Sequence, residues 1–191
     1  MNLPPDKAKL RSVLRKRRRA LDAARPDAAQ AAAAALPMDR LPAFEWFASY
    51  HAVGSELDPA PLAARLAKAG RRLALPVTLG ADAPLIFRAW RPDDTPQVDA
   101  FGVPSPPANA PEVNPGLVIC PLLAFDKSGG RLGQGGGHYD RTLEALRARG
   151  QVFVLGLAYA GQEVAELAME PHDQRLDAIL TENGYTEVRK D

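Results

Sequence analysis

Four of the five residues from Gly133 to Gly137 are glycine, and the run is wedged between an apolar stretch and a helical pattern. Neither helix nor strand accommodates such a run, because glycine loses more conformational freedom on ordering than any other residue. The segment is therefore a loop. Upstream, residues 117–120 (LVIC) read as a short apolar strand stopped by Pro121, and downstream a helix begins near His138. Backbone without Cβ atoms can approach a ligand closely, and successive N–H groups entering a helix N-terminus suit phosphate. Arg131 and Arg141 flank the loop and offer charge-assisted contacts to phosphate oxygens. Asp140 offers a hard oxygen for magnesium. Long loops in compact domains are either functional or disordered, and the apolar lead-in over residues 121–125 argues for an ordered one.

The loop matches neither of the two commonest phosphate motifs. A P-loop needs a Gly-Lys pair, which is absent. A dinucleotide fingerprint needs a third glycine where this chain has His138. Residue chemistry alone thus yields an anion-binding loop of uncommon type.

Elsewhere, short apolar runs alternate with helical patterns. Residues 47–53, 72–77, 84–90, 151–157 and 178–181 read as strands, with an Asn183-Gly184 turn after the last. Helices are expected over residues 27–36, 61–69 and 139–149. Strands separated by helices pair in parallel, so the expected fold is α/β: three-layer α/β/α with a mostly parallel central sheet. Prolines recur between Arg91 and Pro115, which reads as surface loop. In open α/β sheets, ligands bind beyond the carboxyl ends of strands, which singles out Glu56, just past the first strand. A solvent-facing loop carboxylate is the alternative reading of Glu56, and a satisfied core histidine that of His51.

The chain opens with a basic helix over about residues 6–24, capped by Asp6. Leu10, Val13, Leu14 and Leu21 form its apolar stripe, and Arg17 falls inside it. Lys7 and Arg18 lie at one rim with Arg11 a little further round, whereas Arg15, Lys16 and Arg19 point away. Eight Lys or Arg lie between Lys7 and Arg19, so a nucleic-acid-binding arm must be weighed. The whole-chain charge of +1 and the lack of Lys/Arg–aromatic interleaving in any strand count against it. At 191 residues one domain is the prior. A single Cys120 allows no intrachain disulfide and reads as packing. No secretory segment and no membrane-length apolar run is evident, so a cytoplasmic protein without membrane partners is expected.

The run Phe125-Asp126-Lys127-Ser128-Gly129-Gly130-Arg131-Leu132-Gly133-Gln134-Gly135-Gly136-Gly137-His138-Tyr139-Asp140-Arg141 resembles the signature of the 5-formyltetrahydrofolate cyclo-ligase (5,10-methenyltetrahydrofolate synthetase) family. The resemblance implies one cyclo-ligase domain over residues 1–191, converting 5-formyltetrahydrofolate to 5,10-methenyltetrahydrofolate with ATP and Mg²⁺. By that likeness Lys7, Ala8, Lys9, Leu10 and Arg11 would hold ATP, together with Arg131, Leu132, Gly133, Gln134, Gly135, Gly136, Gly137, His138 and Tyr139. His51 and Glu56, with Gln134 to His138 of the loop, would face the folate. Asp140 and Asp173 would carry Mg²⁺, with Asp177 either a runner-up ligand or a structural residue. His138 stands where the family often has Tyr, and Ser105 departs from a family Glu or Gln. Phe101 either stacks on a pterin or caps the core. The implied partners are ATP and reduced folate, with no nucleic acid, and the implied state is a monomer. Two other classes stay open at this point: an α/β enzyme acting on another phosphorylated small molecule, and a nucleotide- or RNA-binding module.

Overall fold

The computed structural model describes residues 6–91, 93–99 and 102–188. In chain order its helices are α1 (Lys7–Ala24), α2 (Ala28–Ala35), α3 (Ala60–Lys68) and α4 (His138–Arg149). The strands are β1 (Trp46–Ala48), β2 (Arg72–Val77), β3 (Ile86–Ala89), β4 (Gln97–Val98), β5 (Pro104–Ser105), β6 (Leu117–Pro121), β7 (Ala124–Phe125), β8 (Arg131–Leu132), β9 (Phe153–Leu157), β10 (Ala178–Thr181) and β11 (Gly184–Glu187). Seven of them form one sheet in the order β11-β10-β9-β6-β1-β2-β3. The five inner strands pair in parallel, and β3 and β11 close the edges antiparallel. The expected α/β class with a mostly parallel sheet is what the chain adopts.

Strand periodicity sorts the core into two layers. Phe47, Leu117, Ile119, Leu155 and Leu180 face α2 and α3, where Ala32, Leu62 and Leu66 meet them. Their neighbours Ala48, Val118, Cys120, Val154 and Ile179 face Leu143 and Leu146 of α4. Helix α1 touches the first layer only through Leu21. Its Leu10 and Leu14 pack on Leu123, Ala124, Leu132, Val164 and Leu167, beyond the end of β6.

The order of strands fixes where a ligand can sit. From β1 the chain moves outward to β2 and β3, then returns across β1 to β6 and proceeds the other way through β9 to β10. The reversal lies between β1 and β6, and adjacent loops leaving their carboxyl ends in opposite directions open a crevice there.

Several local expectations need correction. The first strand ends at Ala48, not residue 53, because the residues after it serve as a wall: the Tyr50 hydroxyl donates to the Leu57 carbonyl at 2.6 Å. The proline-rich segment is not all irregular, since β4 and β5 pair within it and the Ser105 hydroxyl donates to the Gln97 carbonyl at 3.3 Å. The long loop after β6 likewise contains a hairpin, β7 with β8. On α1, Val13 is exposed and the buried position is Arg18. Phe101 lies outside the described residues. Among the described residues no helix is long and apolar enough to cross a membrane.

Candidate functional site

A cleft of about 720 Å³ opens at the β1/β6 reversal. Its floor is Tyr50 and His51 after β1, with Pro121 ending β6 and Leu122 just after it. The glycine loop forms one wall and α1 the roof, and the strand-free segment 166–173 closes the rim.

The glycine loop holds its shape through backbone that only glycine adopts easily. Gly137 caps α4 at φ +66°, and a Cβ there would lie 2.6 Å from Arg141 Nη1. No side chain caps α4, so its first N–H groups carry the positive end of the helix dipole toward the cleft. Gly135 at φ +107° lies against α1, where a Cβ would meet the Arg11 guanidinium carbon at 3.1 Å. Arg11 Nε donates to the Gly133 carbonyl at 3.1 Å. Arg15 is solvent-exposed, as its helical position implied, and its Nε donates to Gln134 Oε1 at 2.8 Å. Two successive turns of α1 thus clasp the loop.

Lys7, Leu10 and Arg11 line the cleft, as do Arg131 to Asp140 and Asp173. Ala8 and Lys9 are exposed and outside it. Lys7 forms a solvent-exposed ion pair with Glu170 on the rim segment, and that contact, ahead of the other nearby charges, lowers the Glu170 carboxyl below its ordinary range. Arg141 is not a free phosphate contact: its Nη2 donates to the carbonyls of Gly136 (2.7 Å) and Ala81 (2.9 Å). His138 is oriented through Nδ1, 3.1 Å from the Ala83 carbonyl. Because a carbonyl only accepts, Nδ1 carries the proton of that bond.

The acidic residues divide into two kinds. Asp140 Oδ1 accepts from Arg131 Nη2 at 2.6 Å and from the Gln174 amide at 2.9 Å, which brings the Asp173-Gln174 turn beside α4. Asp140 Oδ2 accepts from none of the described residues. Asp173 Oδ2 accepts from the Glu170 amide at 2.7 Å. Among the described residues no cluster of three or more His, Cys, Asp or Glu is built to hold a metal by itself. Two carboxylates on one rim nonetheless fit Mg²⁺, which takes one or two carboxylates and completes its shell with water and substrate phosphates. Asp177 is elsewhere. Its Oδ2 accepts from the Val154 amide (2.9 Å) and Arg147 (3.3 Å), at the amino ends of the strands, so of its two readings the structural one holds.

On the opposite side, Glu56 is not a solvent-facing carboxylate. Its side chain is only 9% exposed, with Oε1 3.3 Å from Arg18 Nη1 and Oε2 accepting from the Val53 amide at 3.0 Å. His51 stands edge-on to Trp90, ring centroids 6.3 Å apart, and its buried Nε2 has no hydrogen-bond partner among the described residues. An orphaned buried ring nitrogen on a cleft floor is a group awaiting a ligand's donor or acceptor. Arg18 was missed as a site residue. Its signal was faint: a basic residue on the rim of an apolar stripe.

Among the described residues no activated nucleophile lines the cleft. Burial pushes the Cys120 thiol up to about 12, and burial likewise holds the Tyr50 and Tyr139 hydroxyls well above their ordinary value. The cleft is equipped to bind an anion at one end and a polar ring at the other, and to bring them together.

A model of the 5-formyltetrahydrofolate cyclo-ligase family matches residues 4–182. The chain is 33% identical over 187 residues to the 5-formyltetrahydrofolate cyclo-ligase of Mycolicibacterium smegmatis, covering 93% of this chain and 94% of that one. It is 41% identical over 100 residues to the cyclo-ligase of Haemophilus influenzae, a match spanning 50% of this chain and 53% of its relative. Among solved structures, the 5,10-methenyltetrahydrofolate synthetase of Aquifex aeolicus is similar with a TM-score of 0.73 at 27% identity. That likeness covers 97% of this chain and 94% of the other.

Proposed function

The chain belongs to the 5-formyltetrahydrofolate cyclo-ligase family, and on that premise we propose that it is an ATP- and Mg²⁺-dependent enzyme. The reaction is 5-formyltetrahydrofolate plus ATP giving 5,10-methenyltetrahydrofolate, ADP and phosphate. We read residues 1–191 as one catalytic domain acting as a monomer in the cytoplasm.

The observation that carries this reading is the two-ended cleft. A glycine loop, a helix N-terminus, Lys7 and Arg11 stand at one end, and Glu56 and His51 at the other. An N-formyl group is amide-like and its oxygen leaves poorly. Phosphoryl transfer from ATP to the formyl oxygen makes that oxygen part of a phosphate leaving group. N10 then attacks the formyl carbon and releases its proton to solvent, the ring closes, and the C–O bond breaks so that phosphate departs with the oxygen. Such chemistry asks a protein for positioning and charge neutralisation and not for a covalent nucleophile, which suits a chain whose one thiol is buried in the core and does not line the cleft. Lys7, Arg11 and the amides of the loop neutralise the phosphates. Glu56 and His51, with loop residues Gln134 to His138, orient the folate. Asp140 and Asp173 would hold Mg²⁺, which when bound neutralises charge on the phosphates.

The deciding experiment follows the absorbance of the conjugated methenyl product with ATP·Mg²⁺ present and absent. Product formed only with ATP supports the proposal; no product under either condition overturns it. The nucleotide end has its own test. Lys7 exchanges its exposed bond to Glu170 for a phosphate, and a charge-assisted contact is worth roughly 1.5–3 kcal/mol. Lys7→Ala is therefore expected to raise the KM for ATP about tenfold or more while leaving the folate KM within a factor of about two. An unchanged ATP KM returns Lys7 to a surface role.

A further inference from the structure

Arg18 is the one charged residue of α1 that the fold buries, at 4% exposure, and it lines the cleft. A buried guanidinium is costly unless its donors and charge are matched. Here Nε donates to the Ser55 hydroxyl, and Nη1 is shared between Glu56 Oε1 and the Leu122 carbonyl, each at 3.3 Å. The Leu122 carbonyl is itself fixed by Gln162 Nε2 at 2.8 Å, so Arg18 leans on a rigid shelf at the end of β6. Glu56 has no such shelf. It sits in the loop after β1, with one oxygen held by Arg18 and the other by the Val53 amide of the same loop.

Helix α1 therefore serves two sets of partners. Its first turn meets the rim through Lys7 and the next two clasp the glycine loop through Arg11 and Arg15, whereas the buried Arg18 meets Glu56. We infer that Arg18 is a positioning residue for the folate side of the reaction, fixing through Glu56 the carboxylate that meets the polar ring of the substrate. The inference rests on the function proposed above. Arg18 contributes to folate recognition and leaves nucleotide recognition to the earlier turns of its own helix. A lysine cannot replace it fully, because a single ammonium does not reproduce the planar fork that spans Ser55, Glu56 and Leu122.

The test compares full-length Arg18→Met, Arg18→Lys, Glu56→Gln and the double variant Arg18→Met/Glu56→Gln. KM for each substrate, kcat and Tm are measured, along with Kd for 5-formyltetrahydrofolate without nucleotide. Arg18→Met is expected to raise the folate KM and Kd about tenfold or more with the ATP KM within about twofold, and Arg18→Lys to fall between it and wild type. In the Glu56→Gln background the Arg18 change is expected to add less than about threefold, since residues that act as a unit are not additive. Should Arg18→Met fail to fold, Arg18→Lys carries the same comparison. Folate and ATP KM rising together, or full additivity with Glu56→Gln, overturns the inference. A wild type that turns over while both Arg18 variants keep its folate KM overturns the inference alone. A wild type that binds no reduced folate overturns the proposed function and this inference with it.

Discussion

Asp140→Asn is expected to lower ATP-dependent turnover by at least about 100-fold, the loss that removal of a metal-held charge of several kcal/mol implies, while Tm stays within a few degrees of wild type. The two parts of that expectation come from the two oxygens. Oδ1 is committed to the fold, accepting from Arg131 and from the Gln174 amide, and an asparagine oxygen can accept from both. Oδ2 carries the charge that a cation on the nucleotide would use, and asparagine removes it. Asp140→Ala is a worse test, because it also strands Arg131, whose side chain is 4% exposed. Breaking a fully buried pair costs about 3–5 kcal/mol; Asp140 is 19% exposed, so on the order of 2–3 is reasonable here. The alanine variant is thus expected to lose both stability and activity, and the asparagine variant activity alone. Wild-type turnover by Asp140→Asn at saturating Mg·ATP would remove Asp140 from the metal's coordination.

What sequence reading reached and what it missed divide along contact range. The glycine loop, the acid three residues into α4 and the alternating strands are local patterns, visible because glycine geometry, helix starts and strand periodicity depend on near neighbours. Arg18 with Glu56 is a pairing across 38 positions, and only the packing of α1 over the end of β6 creates it. A helical wheel assigned Val13 to the buried stripe on hydrophobicity. The helix instead rolls so that Leu14 and Arg18 are inward, because a cation with three acceptors waiting outweighs one valine. Arg15 is exposed as the wheel implies, and only the fold shows that Gln134 comes to meet it there. The first strand was read as too long for a related reason. Tyr50, His51 and Val53 continue the strand's sequence pattern yet line the cleft, and residue pattern does not distinguish those uses.

These contacts also weigh on the nucleic-acid reading of α1. Four of its eight cations, Lys7, Arg11, Arg15 and Arg18, are occupied by Glu170, Gly133, Gln134 and Glu56. A phosphate-tracking arm needs its cations free along one face. Helix α1 uses two of them to close over the glycine loop and two more to meet Glu170 and Glu56.

The largest expected effect on stability lies at Asp126, a residue in the signature run that binds nothing. Its carboxylate is 2% exposed. Oδ1 accepts from the Ser128 amide (2.9 Å), the Ser128 hydroxyl (2.7 Å) and the Gly130 amide (3.0 Å). Oδ2 accepts from the Leu167 amide at 2.9 Å. One side chain thus folds the β7–β8 turn and ties it to the segment that rims the cleft. Burial by itself would raise this carboxyl, but the hydrogen bonds from Ser128, Leu167 and Gly130 outweigh it and hold the group below its ordinary value. A carboxyl depressed in the folded state stabilises at every pH above its unfolded value of about 3.9, and that contribution fades as pH falls below it. Asp126→Ala strands buried amides at about 1–3 kcal/mol each. Allowing for rehydration around Ser128, about 3–5 kcal/mol is expected at pH 7, a Tm fall on the order of 10 °C. Melting both proteins from pH 8 to pH 3 should show a constant gap down to about pH 5 and a narrowing one below about pH 4. A gap that stays constant to pH 3 would mean that the charge on Asp126 does not hold the turn. Because Leu132 and Leu167 both line the cleft, the same variant should lose affinity for both substrates together, the opposite of the one-sided effects expected at Lys7 and Arg18.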